Sequence, residues 1–340
     1  MKRLGVIGTM VWDTIHQRDP GRSEPVEEWG GICYSLSAYE ATAPDGWELL
    51  PIIKVGGDLR ERANEFLRGL GRIASLEGVR TVPERNNRVE LFYRDRSRRC
   101  ERLTGGVPGW SWDELAPLAR SCDAVYVNFV AGWELDLPSA QGLRGGFRGP
   151  VYTDLHSIFM GVGADGVLEP KPLAAWREWL CCFDLVQLNE DELETLAGAL
   201  GDPWKVAAEV VGEATRALLV TLGDRGAAWV ATVGFDGLEV EVAEPPPAAL
   251  LANQVRRSRV RPGMPATSGF APTRLVVPDP DPTGCGDVWG MTCFASLLGG
   301  ATLREAVERS NTLAARNAAH RGASQLGTLL ADKSPILSGR

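Results

Sequence analysis

The run Asp281, Pro282, Thr283, Gly284, Cys285, Gly286, Asp287 sets two glycines and a carboxylate at the head of an apolar, helix-like segment. Gly284 and Gly286 permit a tight turn, so the amides of Gly284, Cys285 and Gly286 can aim at one point. At a helix N-terminus, unpaired N–H groups and the helix dipole favour an anion. Asp287 falls in the first helical turn, beside whatever the loop holds, and residues 274–277 predict a strand leading in. This pairing suits phosphoryl transfer to a hydroxyl: amides stabilise the transferring group and the carboxylate takes the hydroxyl proton. The same residues also read as a glycine-containing turn capped by an ordinary first-turn aspartate. The rest of the chain has to decide.

Elements able to position such a loop recur along the sequence. Short apolar runs at 4–7, 49–53, 124–129, 151–152, 185–188, 217–221 and 227–233 read as buried strands. Helix-like stretches at 59–70, 112–119, 190–199 and 204–214 follow several of them. That alternation predicts an α/β fold with a mainly parallel sheet covered on both faces, where ligands bind beyond the carboxyl ends of the strands. Residues 88–103 break the pattern and predict a hairpin with a polar tip, able to project as a flap over a site. Its arginines, Arg94, Arg96, Arg98, Arg99 and Arg102, read either as a solvated edge or as a basic lip for an anionic substrate. Residues 243–272, rich in Pro, Arg and small side chains, read as a surface insertion, and the chain fades into a tail past Arg321.

The bulk numbers exclude several classes. A hydrophobic share of 44% and a charged share of 24% belong to a globular chain. A net charge of −8 argues against nucleic acid as a partner. Seven cysteines without a CxxC pair, and the widely spaced His16, His156 and His320, offer no metal-ligand spacing. No apolar run reaches the roughly 18 residues of a membrane span, and the start has no signal-peptide layout. The expectation is a soluble, cytoplasmic protein.

Ordered motifs along nearly the whole length resemble the ribokinase-like (PfkB) family of carbohydrate and nucleoside kinases. DPTGCGD at 281–287 resembles its C-terminal signature, and WGGICYSLS at 29–37 its N-terminal glycine pair. VGGD at 55–58, QLNEDE at 187–192, VTLGDRGA at 220–227 and NTLAARNAAHRGA at 311–323 resemble further family motifs in the family's order. The resemblance implies a ribokinase-like three-layer α/β/α domain over residues 1–330, with a small β flap (lid) from about 10–35 and 86–104, and a tail at 331–340.

It also implies roles. Asp287 is the catalytic base, and Gly284, Cys285 and Gly286 form the anion hole. Asp13, Gly30, Gly31 and Ser35 meet the substrate; Asn189, Thr221, Gly223, Gly226 and Asn311 meet ATP. Asn189 and Glu192 order Mg²⁺, largely through water, although Asn189 reads equally as a helix N-cap. Asp281, Thr283 and the turn at 321–324 resemble a monovalent-cation (K⁺) site of part of the family. Pro282 replaces a usual threonine, Ser35 a usual asparagine, and Trp289 a usual phenylalanine. The implied activity is ATP-dependent phosphorylation of a sugar or polyol hydroxyl. The alternatives are a nucleoside kinase, for which Tyr34 and Phe92 are candidate flanking aromatics, or a catalytically silent nucleotide or sugar sensor. A homodimer through the flap is also implied.

Overall fold

A computed structural model describes residues 1–16, 25–93, 99–198, 201–238, 265–275, 277 and 280–332. Strand β1 (Lys2–Ile7) starts the central sheet, and β2 (Met10–Ile15) and β3 (Val26–Gly31) leave it. Helix α1 (Ile32–Thr42) leads to β4 (Trp47–Gly56), α2 (Arg60–Arg68) and β5 (Val79–Val82), followed by β6 (Arg88–Tyr93) and β7 (Arg99–Thr104). The predicted alternation then appears as α3 (Trp112–Ala119), β8 (Ala124–Asn128), α4 (Leu137–Gly146) and β9 (Val151–Asp154). A small hairpin, β10 (Met160–Val162) and β11 (Leu168–Pro170), precedes α5 (Trp176–Leu180) and β12 (Leu185–Asn189). Next come α6 (Glu190–Ala197), α7 (Pro203–Val210), β13 (Ala217–Thr221), β14 (Gly226–Thr232) and β15 (Ala266–Pro272). Helices α8 (Cys285–Leu298), α9 (Leu303–Asn317) and α10 (Leu326–Ala331) end the described chain.

The sheet order is β15-β14-β13-β12-β9-β8-β1-β4-β5, parallel from β13 to β5 and antiparallel at β14 and β15. Strand alternation splits the core between its faces. Leu4 and Val6 pack with Ile32, Phe294 and Val307 on the side of α1, α8 and α9. Ile7, Leu50 and Val127 pack with Leu115, Leu143 and Val206 on the opposite side. The result is the three-layer α/β/α architecture. Helix α8 is buried from Val288 to Leu298, which fits its nearly all-apolar sequence. Capping boxes at Ser111–Glu114 and Thr302–Glu305 set the starts of α3 and α9. A separate sheet, β3-β2-β6-β7, forms the flap.

Three expectations need correction. Arg274, Leu275 and Val277 are not in a strand; the strand before α8 is β15, whose ladder with β14 stops at Pro272, a residue without an N–H. Its stretch Ala266–Pro272 was expected within the surface insertion, but it forms the sheet edge; residues 243–264 lie outside the described residues. The region past Arg321 forms α10, because Leu326 and Leu330 are buried; residues 333–340 lie outside the described residues. The hairpin tip at 94–98 does so too.

Candidate active site

Four parallel strands end on polar residues at the same edge of the sheet: Asn128 on β8, Asp154 on β9, Asn189 on β12 and Thr221 on β13. This is the edge where α/β sheets bind ligands. Helix α8 starts over it. Its N-cap, Gly284, has φ 72°, and a Cβ there would lie 2.3 Å from the Tyr34 ring, so only glycine lets Tyr34 cover the turn. The Thr283 amide donates to Asp281 Oδ1 at 3.1 Å and the Cys285 amide to Pro282 O at 3.1 Å. The Cys285 amide is therefore a donor shared with the turn rather than one kept for an anion.

Asp287, in the first turn of α8, receives a hydrogen bond at Oδ1 from Asn128 Nδ2 at 2.5 Å. Asn128 Nδ2 also reaches Ser35 Oγ at 3.2 Å, and Ser35 Oγ donates to the Asp287 carbonyl at 3.2 Å. Ser35 is fully buried beneath the turn and lines neither cavity described below. It steadies Asp287's surroundings, where a substrate contact was expected. Asn128 was not singled out from sequence; its place as the polar last residue of a buried strand is the signal that marks it.

Asp154 adds a carboxylate to the same cavity. Its Oδ2 accepts from Gln187 Nε2 at 2.9 Å and its Oδ1 from the His156 amide at 3.2 Å. Burial, reinforced by the charges of Glu192 and Asp287, pushes its pKa up to about 8, with His156 pulling the other way. Asn189 caps α6: its Oδ1 accepts from the Glu192 amide at 2.9 Å, and its own amide donates to Glu192 Oε2 at 2.8 Å. Glu192 Oε1 also lies 2.6 Å from His156 Nδ1. Desolvation would lower the pKa of His156, but the hydrogen bond and charge of Glu192 outweigh it and raise it. The N-cap reading of Asn189 is thus realised in the structure, and the capping pair stands at the cavity wall.

Two cavities flank the start of α8. The first, about 360 Å³, is lined by Asp13, Gly31, Asn189, Glu192, Gly284 and Asp287, with Tyr34, Asn128, Asp154 and His156. The second, about 470 Å³, is lined by Gly226, Cys285, Trp289, Asn311, Ala314 and Ala318. Thr221, Gly223, Pro282 and Gly286 belong to both, so the loop separates two spaces that meet at it. Gly30 stands behind Asp13: a Cβ would fall 1.8 Å from Asp13 Oδ2. Asn311 is buried, accepting from Trp289 Nε1 at 2.8 Å and donating to Ala271 O at 2.9 Å. Trp289 therefore combines core packing with a cavity wall.

At the cation site suggested by resemblance, Arg321 Nε approaches Asp281 Oδ2 at 3.7 Å. The charge of Asp281, second to burial, raises the pKa of neighbouring Glu28. Phe92 does not flank the cavity; it stacks on His16 at 4.2 Å, because Leu91, its neighbour on β6, faces inward. Arg102 is exposed and lines neither cavity, and Arg94, Arg96 and Arg98 lie outside the described residues. Among the described residues no helix is long and apolar enough to cross a membrane.

No protein-family profile and no curated protein matches the chain. Solved structures do. Thermotoga maritima ribokinase superposes with a TM-score of 0.67 at 16% identity, covering 98% of this chain and 100% of its own. Burkholderia thailandensis nucleoside kinase in complex with inosine gives 0.65 at 16% identity, covering 96% and 94%. Xylella fastidiosa fructokinase with bound ATP gives 0.64 at 13% identity, covering 96% and 98%. The chain has the ribokinase fold over nearly its whole described length.

Proposed function

We propose that this ribokinase-fold chain transfers the terminal phosphoryl group of ATP to a hydroxyl of a sugar, related polyol or nucleoside. One observation carries the reading: two separate cavities meet at an anion-favouring helix start, with a carboxylate on one side of the junction. Direct transfer between two substrates bound at once is served by that arrangement. Structures of the same fold that hold ADP or ATP support the nucleotide as donor.

The 470 Å³ cavity takes the nucleotide, its base beside Asn311, Ala314 and Ala318 and its phosphates toward Gly286, which lines both cavities. The acceptor lies in the 360 Å³ cavity, with Asp13 accepting hydrogen bonds from its hydroxyls. Asp287 takes the proton of the attacking hydroxyl, and Asn128 holds the carboxylate in position for it. The Cys285 thiol turns away from the loop, back to Ala314 O at 3.4 Å.

The carboxylates fit a hydrated Mg²⁺. Glu192 and Asp287 line the cavity together with Asp154, and since no three such side chains among the described residues converge as direct ligands, the ion would be held largely through water. Bound there, Mg²⁺ would neutralise charge on the nucleotide. Asn189 and Glu192 would hold its waters, and His156 keeps Glu192 oriented.

The test is ADP release from Mg-ATP in the presence of sugars, polyols and nucleosides, with Asp287→Asn in parallel. An acceptor-dependent rate that the variant loses supports the reading. ATP binding without release on any acceptor sinks it and leaves a sensor.

A further inference from the structure

Resting on the phosphotransfer reading above, we infer that the acceptor is an uncharged glycoside with an apolar or heteroaromatic aglycone, rather than a free or phosphorylated sugar. The flap dictates this through strand alternation. Its inward positions are Val11 and Asp13 on β2, Val89 and Leu91 on β6, and Glu101 and Leu103 on β7, all of which line the 360 Å³ cavity. Val130 and Leu168 extend the same surface, so Val11, Val89, Leu91, Leu103, Val130 and Leu168 make one aliphatic wall. The flap adds two carboxylates to this surface, Asp13 and Glu101, and the remaining hydrogen-bonding groups gather at the strand ends and α8, among them Asn128, Asp154, Gln187 and Asp287.

This lining suits a molecule with a polyol part, held by Asp13 and the groups at the strand ends, and an apolar part against the six aliphatic side chains. A free sugar carries hydroxyls on every side, and those turned to the aliphatic wall would lose their water without gaining partners. A phosphate ester fares worse. Asp13, Glu101, Asp154, Glu192 and Asp287 line the cavity, and among the described residues no lysine or arginine does. The one side chain there able to carry positive charge, His156, is engaged with Glu192. Arg102, on the strand bearing Glu101 and Leu103, takes the alternate face, with its Cγ 3.2 Å from where a Gly166 Cβ would stand.

Leu168 is delivered from outside the flap. The β10–β11 hairpin docks on β7: the Leu103 amide donates to Gly166 O at 2.8 Å, and Arg102 bridges to Val167. Gly166 has φ 82°, and a Cβ there would lie 2.8 Å from Leu103 O, so the hairpin approaches as closely as it does only with glycine. This contact fixes Leu168 over the acceptor and makes it a specificity residue.

Two measurements test the inference. ADP release from Mg-ATP is followed with inosine, adenosine, phenyl β-D-ribofuranoside, ribose, fructose and fructose 6-phosphate, and binding of each acceptor is measured by calorimetry without nucleotide. Burial of the aglycone should raise kcat/KM for the ribosides about 100-fold over ribose. Leu168→Arg should raise KM for the ribosides roughly 10-fold and shrink their preference over ribose. Turnover of ribose, fructose or fructose 6-phosphate in preference to every riboside overturns the acceptor class and leaves the kinase reading standing. Riboside binding without ADP release does the reverse. No riboside binding and no release overturns the inference. A Leu168→Arg enzyme that loses ribose and riboside activity in equal proportion shows a structural leucine and overturns its role in specificity.

Discussion

Asp287 and Asn128 form the smallest unit on which the proposed chemistry depends. The amide of Asn128 reaches Asp287 Oδ1 at 2.5 Å and orients the carboxylate toward the cavity. Asp287→Asn should lower kcat by about 10²–10⁴-fold with ATP affinity within a few-fold, because it removes the proton acceptor and leaves the turn intact. Steady-state rates and nucleotide titration check both halves; loss of ATP binding together with the fold would make Asp287 structural. Asp154 gives a second test. Its folded-state pKa of about 8 lies above the ordinary 3.8, so the folded chain keeps a proton that the unfolded chain has released. The stability this contributes is present at low pH and fades as pH rises towards about 8. The raised His156 acts in the same direction above its ordinary 6.5, but more weakly, since its side chain is 51% exposed. The melting temperature should therefore fall across this range, and Asp154→Asn should flatten the fall. An unchanged slope in the variant would remove Asp154 as its cause. Asp287 was legible in the sequence because glycines announce its turn. Asp154 and Asn128 carry no such local mark, since their meaning comes from strand ends that only the sheet brings together.

Helix α8 is the element that turns these residues into a site, and its seating is set by a glycine. A Cβ at Gly290 would lie 2.2 Å from Gln187 Oε1 and 2.7 Å from Tyr126 Oη. Gln187 in turn donates to Asp154 Oδ2 at 2.9 Å and to Gly286 O at 3.1 Å, tying β12, β9 and the start of α8 together. Gly290→Ala should therefore overpack this junction, costing about 1–3 kcal/mol, and should also lower kcat by displacing α8. Denaturant unfolding and steady-state rates measure the two effects; a stable variant with full activity would show that the junction yields. Elements with strong apolar patterns, such as α8 and the parallel strands other than β5, are readable in the sequence. Strand β15 was not, because Ala266, Thr267, Ser268 and Gly269 have no alternation and it is fixed by partners distant in sequence, the β14 ladder and Asn311 of α9. Helix α10 was missed for a related reason: only Leu326 and Leu330 mark a face on so short a segment.

At the scale of the whole molecule, the proposed function depends on two cavities sharing one loop, and this gives a test that needs no acceptor. The order of motifs along the chain made the fold legible. The acceptor wall was not, because Val11, Val89, Leu103 and Leu168 come from four different strands, and the sequence could not say which face of the hairpin turns inward. The two sides are nevertheless separable by experiment. A ligand that binds only the folded state stabilises it by RT ln(1 + [L]/Kd), about 2.7 kcal/mol at 100-fold above Kd. Saturating Mg-ATP should therefore raise the melting temperature by a few degrees, and Asp287→Asn should keep that rise, since Asp287 lines the acceptor cavity and not the second one. Ala315→Trp, which fills the second cavity beside Asn311, should abolish the rise while leaving the unliganded melting temperature little changed. If Ala315→Trp keeps the full shift, the nucleotide lies elsewhere. The α8 loop would then join the acceptor cavity to a space of another purpose.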